Sequence, residues 1–318
     1  MILMLVQQLL SFFLFIILPL FVFVFRRKPV IMNSKEITPS HNISLPKSYP
    51  FIGSYLAVKA NENNHVQWLS DIIKVSPAAT VVLHGPLGLR QVITGNPAIV
   101  EHILKTRFSN YQKGYTFIHT LSDLLGKGIF NTNGDKWKFQ RQVASHEFNK
   151  KSLRRFVEQV ADAELSNRLI PILASTALQD QTLNLQNILQ RFAFDNVCQI
   201  AFGFDPEYLT SSVERSRFVQ AFEEATGISS KRFFEPLPLV WETKRILNVG
   251  SEKRLRVAVR EVQKFAKKIV REKKKELREK ATLESGDMLS WFLSSGHTDE
   301  DFVMDIVISF IMVRDYLG

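Results

Sequence analysis

The residues best suited to chemistry lie within Phe130–Phe148, which reads FNTNGDKWKFQRQVASHEF. Trp137 and Arg141 stand four apart, just after a Gly134-Asp135 turn. On a helix that spacing puts an indole N–H and a guanidinium on one face. Two donors stacked in this way suit a pair of carboxylates or a phosphate presented edge-on. The same spacing also fits a helix in which Trp137 packs and Arg141 is solvated. Residue types alone leave both readings open.

Other chemistries find less support. The single cysteine, Cys198, excludes an internal disulfide and a cysteine-rich zinc site. It sits in Asp195–Ala201, inside a helical pattern, and reads as a buried helical residue. The seven histidines are scattered without metal-ligand spacing. No zinc helix of the H-E-x-x-H type, no G-x-x-x-x-G-K-[ST] phosphate loop and no G-x-S-x-G nucleophile elbow occurs.

The elements that must position Trp137 and Arg141 are mostly helical. Val66, Leu69 and Ile73 have helix-like spacing, and Pro97 opens a second pattern with Ile99, Ile103 and Leu104. Between them, Ala79–Leu83 and Leu89–Thr94 are β-branched runs about a Gly-Pro-Leu-Gly turn, a hairpin signal. Gly114–Phe130 mixes apolar side chains with glycines and fits no single period. Phe117, Ile118, Leu121, Leu124, Leu125 and Phe130 would together line an apolar channel, or else serve as ordinary core residues. Helical faces follow at Leu153, Phe156, Val157 and Val160, and at Leu185, Ile188, Leu189 and Phe192. The pattern weakens between Phe202 and Val249. Ser251–Lys280 then reads as a long helix with Leu255, Val259, Val262, Ala266 and Ile269 on one stripe. Thr298 followed by three acids signals another helix start, and Phe302–Val313 is almost wholly apolar.

A formal net charge of +10 points to an acidic partner. Most of the excess lies in 252–280, which carries 13 basic and 5 acidic residues. Aromatic interleaving there is sparse, so a solvated helix face or an anionic membrane surface is favoured over nucleic acid. Met1–Phe25 has no charged side chain and is followed at once by Arg26-Arg27-Lys28. That is the pattern of an uncleaved membrane anchor with its following domain in the cytosol. Pro29, Pro39, Pro46 and Pro50 punctuate the linker after it.

The wording NTNGDKWKFQRQVASHEFN closely resembles the C-helix of haem-thiolate monooxygenases, the cytochrome P-450 superfamily. Within it, the segment is similar to the plant branch that hydroxylates fatty acids and jasmonoyl-amino acids near the chain end. The resemblance runs from the N-terminus to about Met312. It implies a mostly α fold with a small β-sheet, the N-terminal part of the P-450 fold, preceded by one transmembrane helix. The expected division is an anchor over 1–25, a basic and proline-rich hinge over 26–53 and an incomplete P-450 domain over 54–318. By resemblance, Trp137 and Arg141 donate to the haem propionates, while Gly114–Phe130 is a loop over the haem in which Phe117, Ile118, Leu121, Leu124, Leu125 and Phe130 supply substrate contacts. It also implies a fatty-acid-like substrate, an NADPH-dependent reductase as electron source, an endoplasmic reticulum membrane location and no nucleic-acid partner.

Two family features have no counterpart. The axial cysteine loop and the helix that braces it are absent from the sequence, so no metal ligand is expected. Arg314-Asp315 resembles the middle of the oxygen-activation motif, with one residue too few before it and no threonine after. The expectation is a truncated, inactive form that does not hold haem stably. A membrane-tethered protein that binds lipid or a partner without catalysis is the alternative.

Overall fold

The computed structural model describes residues 45–147, 154, 157–210, 213–235, 237–279, 287–294 and 299–317. The anchor and most of the hinge expected over 1–53 fall outside these residues. Among the described residues no helix is long and apolar enough to cross a membrane. The chain divides into two compact units: one holds 45–111 with Phe234–Trp241, the other Gln112–Phe233 with Glu242 onward.

The first unit contains helix α1 (Tyr55–Ala60), helix α2 (His65–Val75), strands β1 (Thr80–His84) and β2 (Arg90–Thr94), and the short helix α3 (Pro97–Glu101). The strands pair antiparallel with Thr80 opposite Thr94 and His84 opposite Arg90, as the two β-branched runs require. Alternation puts Val81 and Leu83 on the buried face, against Ile72, Trp68 and Leu69 of α2. Val66, expected on the same face as Leu69, is instead 81% exposed. Asn96 caps α3, accepting from the Ala98 and Ile99 amides.

The second unit is helical: α4 (Tyr115–Leu125), α5 (Gly134–Glu147), α6 (Ile170–Leu178), α7 (Leu185–Phe202), α8 (Val213–Lys231), α10 (Gly250–Glu279), α11 (Met288–Ser294) and α12 (Glu300–Leu317). Helix α9 (Pro238–Leu247) begins in the first unit and ends in the second. The expected stripe on α10 is buried at all five positions, Leu255, Val259, Val262, Ala266 and Ile269. Burial of each of the four larger side chains contributes roughly 1.5–3 kcal/mol. Helix α10 packs along α8 and α12, and α12 packs in turn on α7 and α4. From Val303 to Met312 every residue of α12 but Asp305 is buried, as its apolar run requires. Thr298, Leu153 and Phe156 lie outside the described residues.

Two expectations are corrected. Gly114–Phe130 is not a plain loop, because its middle forms α4 between Gly114 and Gly126. Gly126 ends the helix at φ 48°, a conformation that disfavours side chains. The weak pattern between Phe202 and Val249 conceals the 19-residue helix α8, whose buried residues include Phe218, Phe222 and Ala225.

Buried charges fasten the connections. Asp287 caps α11 by accepting from the Ser290 amide and hydroxyl, and it also pairs with the buried Lys273 of α10. Asp195 of α7, wholly buried, accepts the amides of Tyr208 (2.8 Å) and Leu209 (2.7 Å) and so holds the turn after the helix. Desolvation pushes the Asp195 carboxyl up to about 7; these two amides oppose the shift, and the neighbouring Glu164 and Asp205 reinforce it.

A raised carboxylate in the folded state means that the native chain holds the proton more tightly than the unfolded one. Its contribution to stability is therefore greatest at acid pH and is lost as pH rises towards the folded value. Between about pH 4 and 7, Asp195 alone lowers the unfolding free energy by about 1.4 kcal/mol per unit. Urea titrations at pH 5 and pH 7 should show this decline in the native sequence and a flatter profile in Asp195→Asn.

Candidate functional site

The site is built from one loop and two helices. Its base is a pair of hydrogen bonds: the Lys113 amide donates to Asn133 Oδ1 (3.0 Å) and Asn133 Nδ2 donates to the Lys113 carbonyl (2.9 Å). The Lys113 ammonium adds a bond to the Thr132 carbonyl. These contacts close the 113–133 segment at its ends. Inside it, Asn131 Nδ2 reaches the carbonyls of Ile118 and Gly126, both at 3.0 Å, and ties α4 to the turn that follows.

That turn, Gly126-Lys127-Gly128, is gripped from both sides. The Lys127 amide donates to Asp305 Oδ2 of α12 at 2.8 Å, and the Lys127 carbonyl accepts from Gln140 Nε2 of α5 at 3.0 Å. Gln140 is fully buried. The approach to α12 is so close that a Cβ on Gly128 would stand 1.9 Å from Ser309 Oγ and 2.7 Å from the Asp305 carbonyl oxygen. Burial pushes the Asp305 carboxyl up to about 6 despite the Lys127 amide. A cavity of about 410 Å³ lies beside the clamp, lined by Lys127, Asp135, Lys136, Phe139, Asp299 and Phe302. None of the six expected channel residues lines it.

Helix α5 begins where this loop closes. Gln140 and Ala144 are its buried positions, and Phe139 packs edge-on against Phe292 of α11. Trp137 and Arg141 lie at one border of the buried face, Trp137 half-buried and Arg141 exposed. Among the described residues the Arg141 guanidinium has no ion-pair partner. An indole N–H beside an open guanidinium is a donor set for carboxylates, and it fits the propionate edge of a haem.

The expected channel residues separate into two groups. Leu124 and Leu125 are 1% exposed and belong to the central core. Ile118 and Leu121 are half-buried, while Phe117 and Phe130 are 39% and 40% exposed. Phe117 packs its ring on Phe233 at 5.6 Å. Arg314 and Asp315 fall in the last turn of α12, where only the backbone is described. Cys198 lies in the core of α7 at 0% exposure, with no path to a ligand. No group of side chains that could hold a metal ion occurs among the described residues.

Sequence reasoning missed Asn131, Asn133, Gln140 and Asp305, the residues that hold the site together. A signal was present for two of them. Asp305 and Gln140 are polar side chains at positions where the helical period calls for burial.

The comparisons agree on one family. A model described as Cytochrome P450 matches residues 43–310. The chain is 66% identical over 270 residues to Cytochrome P450 94A1 of Vicia sativa, covering 85% of this chain and 52% of that protein. It is 53% identical over 280 residues to Cytochrome P450 94A2 of the same plant, covering 86% and 55%. Identity to Cytochrome P450 94B1 of Arabidopsis thaliana is 43% over 309 residues, covering 96% and 60%. The chain thus spans little more than half the length of these relatives. A crystal structure of a cytochrome P450 (CYP102L1) shares the fold with a TM-score of 0.58 and 16% identity, covering 78% of this chain and 55% of that one.

The clamp generates a direct test. Gly128→Ala should destabilise the chain by roughly 1–3 kcal/mol, because α12 and the turn cannot both keep their places. Adding Ser309→Ala should recover part of the loss, since the Asp305 carbonyl remains in the way. Urea midpoints of the two variants beside the native chain would measure both effects.

Proposed function

This chain belongs to the cytochrome P450 family, and we propose that it serves haem-dependent monooxygenation of a long-chain fatty acid or related oxylipin at or near its terminal carbon. The observation that carries this reading is the border position of Trp137 and Arg141 on α5, where the exposed Arg141 guanidinium has no ion-pair partner among the described residues. In this reading the Trp137 indole N–H and the Arg141 guanidinium hold the two propionates through charge-assisted hydrogen bonds. Haem, when bound, would supply the oxygen-activating chemistry.

The remaining work belongs to the chain's own side chains. Ile118, Leu121 and Phe130 offer an apolar surface to an alkyl chain, and the grip on Lys127 fixes that surface relative to α5 and α12. An aliphatic substrate needs this kind of lining, since it gives few polar handles for orientation. Cys198 is too deeply packed to act as the ligand, so the reading places the thiolate outside these 318 residues. Taken alone, the chain forms no thiolate-ligated centre and is inactive. Electrons come from an NADPH-dependent reductase. Met1–Phe25 anchors the protein in the endoplasmic reticulum membrane, and the basic triplet Arg26-Arg27-Lys28 keeps the domain on the cytosolic side.

The test is a reduced carbon-monoxide difference spectrum on the chain continued by the C-terminal segment of Cytochrome P450 94A1. A thiolate-type Soret band is expected there and not in the shorter chain. Arg141→Ala should lower haem retained per protein by about tenfold, the value of one charge-assisted contact, with Arg141→Lys intermediate. Cys198→Ala should leave the band unchanged. Full haem retention in Arg141→Ala, or a band that depends on Cys198, would overturn the reading.

A further inference from the structure

Arg232, the residue that follows α8, is among the most deeply buried charges in the second unit, at 4% exposure. Every arm of its guanidinium is used. Nη1 donates to the Thr120 carbonyl and Nη2 to Asp123 Oδ2, each at 2.8 Å, and both partners lie on α4. Nε and Nη2 together engage the carboxylate of Glu252, at the start of α10 and itself 3% exposed. Asp123 is held a second time, by Arg245 Nη2 at 2.8 Å, and the Arg245 carbonyl accepts from Arg256. One side chain thus ties α4 to a helix that begins 127 residues later, counted from Asp123 at 123 to Gly250 at 250.

The points of attachment matter as much as their number. Thr120 and Asp123 are three apart, so they form one edge of α4. Ile118 and Leu121 lie on another edge, displaced around the helix by roughly 100–160° from Thr120 at 3.6 residues per turn. Gripping the first edge by both a main-chain carbonyl and a carboxylate fixes the rotation of α4 about its axis. That rotation decides which apolar side chains are presented. The neighbouring ring contact between Phe117 and Phe233 has the same effect at the start of the helix.

We infer that Arg232 is a positioning residue whose grip on Thr120 and Asp123 sets the rotational phase of α4, and through it the chain length and carbon selected in a bound acyl substrate. The inference rests on the function proposed above. Lysine cannot replace the arginine, because a single ammonium cannot reach Glu252, Asp123 and the Thr120 carbonyl in the planar arrangement seen here. The four charges Arg232, Arg245, Asp123 and Glu252 are balanced, so no net charge is left buried.

The gentlest variant is Asp123→Asn, which keeps the shape and leaves Arg232 paired with Glu252. Arg232→Lys is the stronger one. Both are made in the continued, haem-loaded protein, and the carbon-monoxide spectrum reports the folded fraction. With fatty acids of graded length, the ratio of terminal to penultimate hydroxylation should shift by about threefold or more, and KM should rise by about tenfold, while haem content stays at the native level. Unchanged product ratio and KM at full haem content would overturn the inference. Hydrogen exchange on the chain as it stands keeps the test independent of catalysis. Asp123→Asn should speed exchange of the α4 amides while the α10 amides stay protected. Equal protection of α4 in both forms would overturn the inference, whereas absence of hydroxylation by the native continued protein would count against the proposed function alone.

Discussion

Helix α12 has almost no side to give to water, and that constraint shapes the second unit. Between Val303 and Met312 only Asp305 is less than fully buried, so neighbours must cover the helix all round. Helices α10, α7, α11 and α4 do this. An apolar cylinder of this kind gains nothing by forming alone. It becomes stable only when the others are in place, which makes the unit cooperative around it. The two polar side chains between Val303 and Met312 are therefore informative. Asp305 meets the Lys127 amide, and Ser309 meets the space left by the missing side chain of Gly128. Both mark where a loop, and not another helix, closes the cover.

The loops are held by charge and the helices by apolar burial. Asp195 fixes the turn after α7, Asp287 caps α11 and pairs with Lys273, and Arg232 joins α4 to α10. A buried ion pair is a poor source of net stability, since desolvation consumes most of the attraction. What it provides is direction. An apolar contact tolerates sliding and rotation, whereas a guanidinium with three partners accepts one geometry. The charged joints occur where chain direction changes and where an apolar stripe would not specify the angle.

The sequence made the regular parts of this fold legible. The β-hairpin, the 30-residue helix with its buried stripe and the apolar α12 all follow from period and composition, because each buries one clear face or, in α12, nearly every face. Helix α4 was hidden because glycines bracket it and its apolar residues spread over several directions, some into the core and some outward. Helix α8 was hidden for a related reason: polar residues interrupt a face that is buried at Phe218, Phe222 and Ala225. At the site, the spacing of Trp137 and Arg141 was readable, but the residues that hold their helix in place were not. Asn131, Asn133, Gln140 and Asp305 act on main-chain groups 5 to 178 residues away, beyond their own helical turns, and such partners leave no local pattern.

The burial of α5 bears on why Trp137 and Arg141 stand where they do. A helix that packs by one narrow face normally keeps long cationic side chains well clear of that face. Here Arg141 is placed at the margin, one turn beyond a half-buried tryptophan, and among the described residues no carboxylate answers it. A guanidinium in that position gains little from the fold as it stands, and an indole half in water loses part of its apolar benefit. Both placements become favourable once a flat group with an apolar body and an anionic edge lies against the margin. The indole would then cover apolar surface, and the guanidinium would meet a countercharge. The clamp on Lys127 matters for the same reason, since through Gln140 it holds the middle of α5 to the loop that α12 also grips through Asp305. The architecture that surrounds α12 thus also positions the margin at which, among the described residues, no carboxylate meets Arg141.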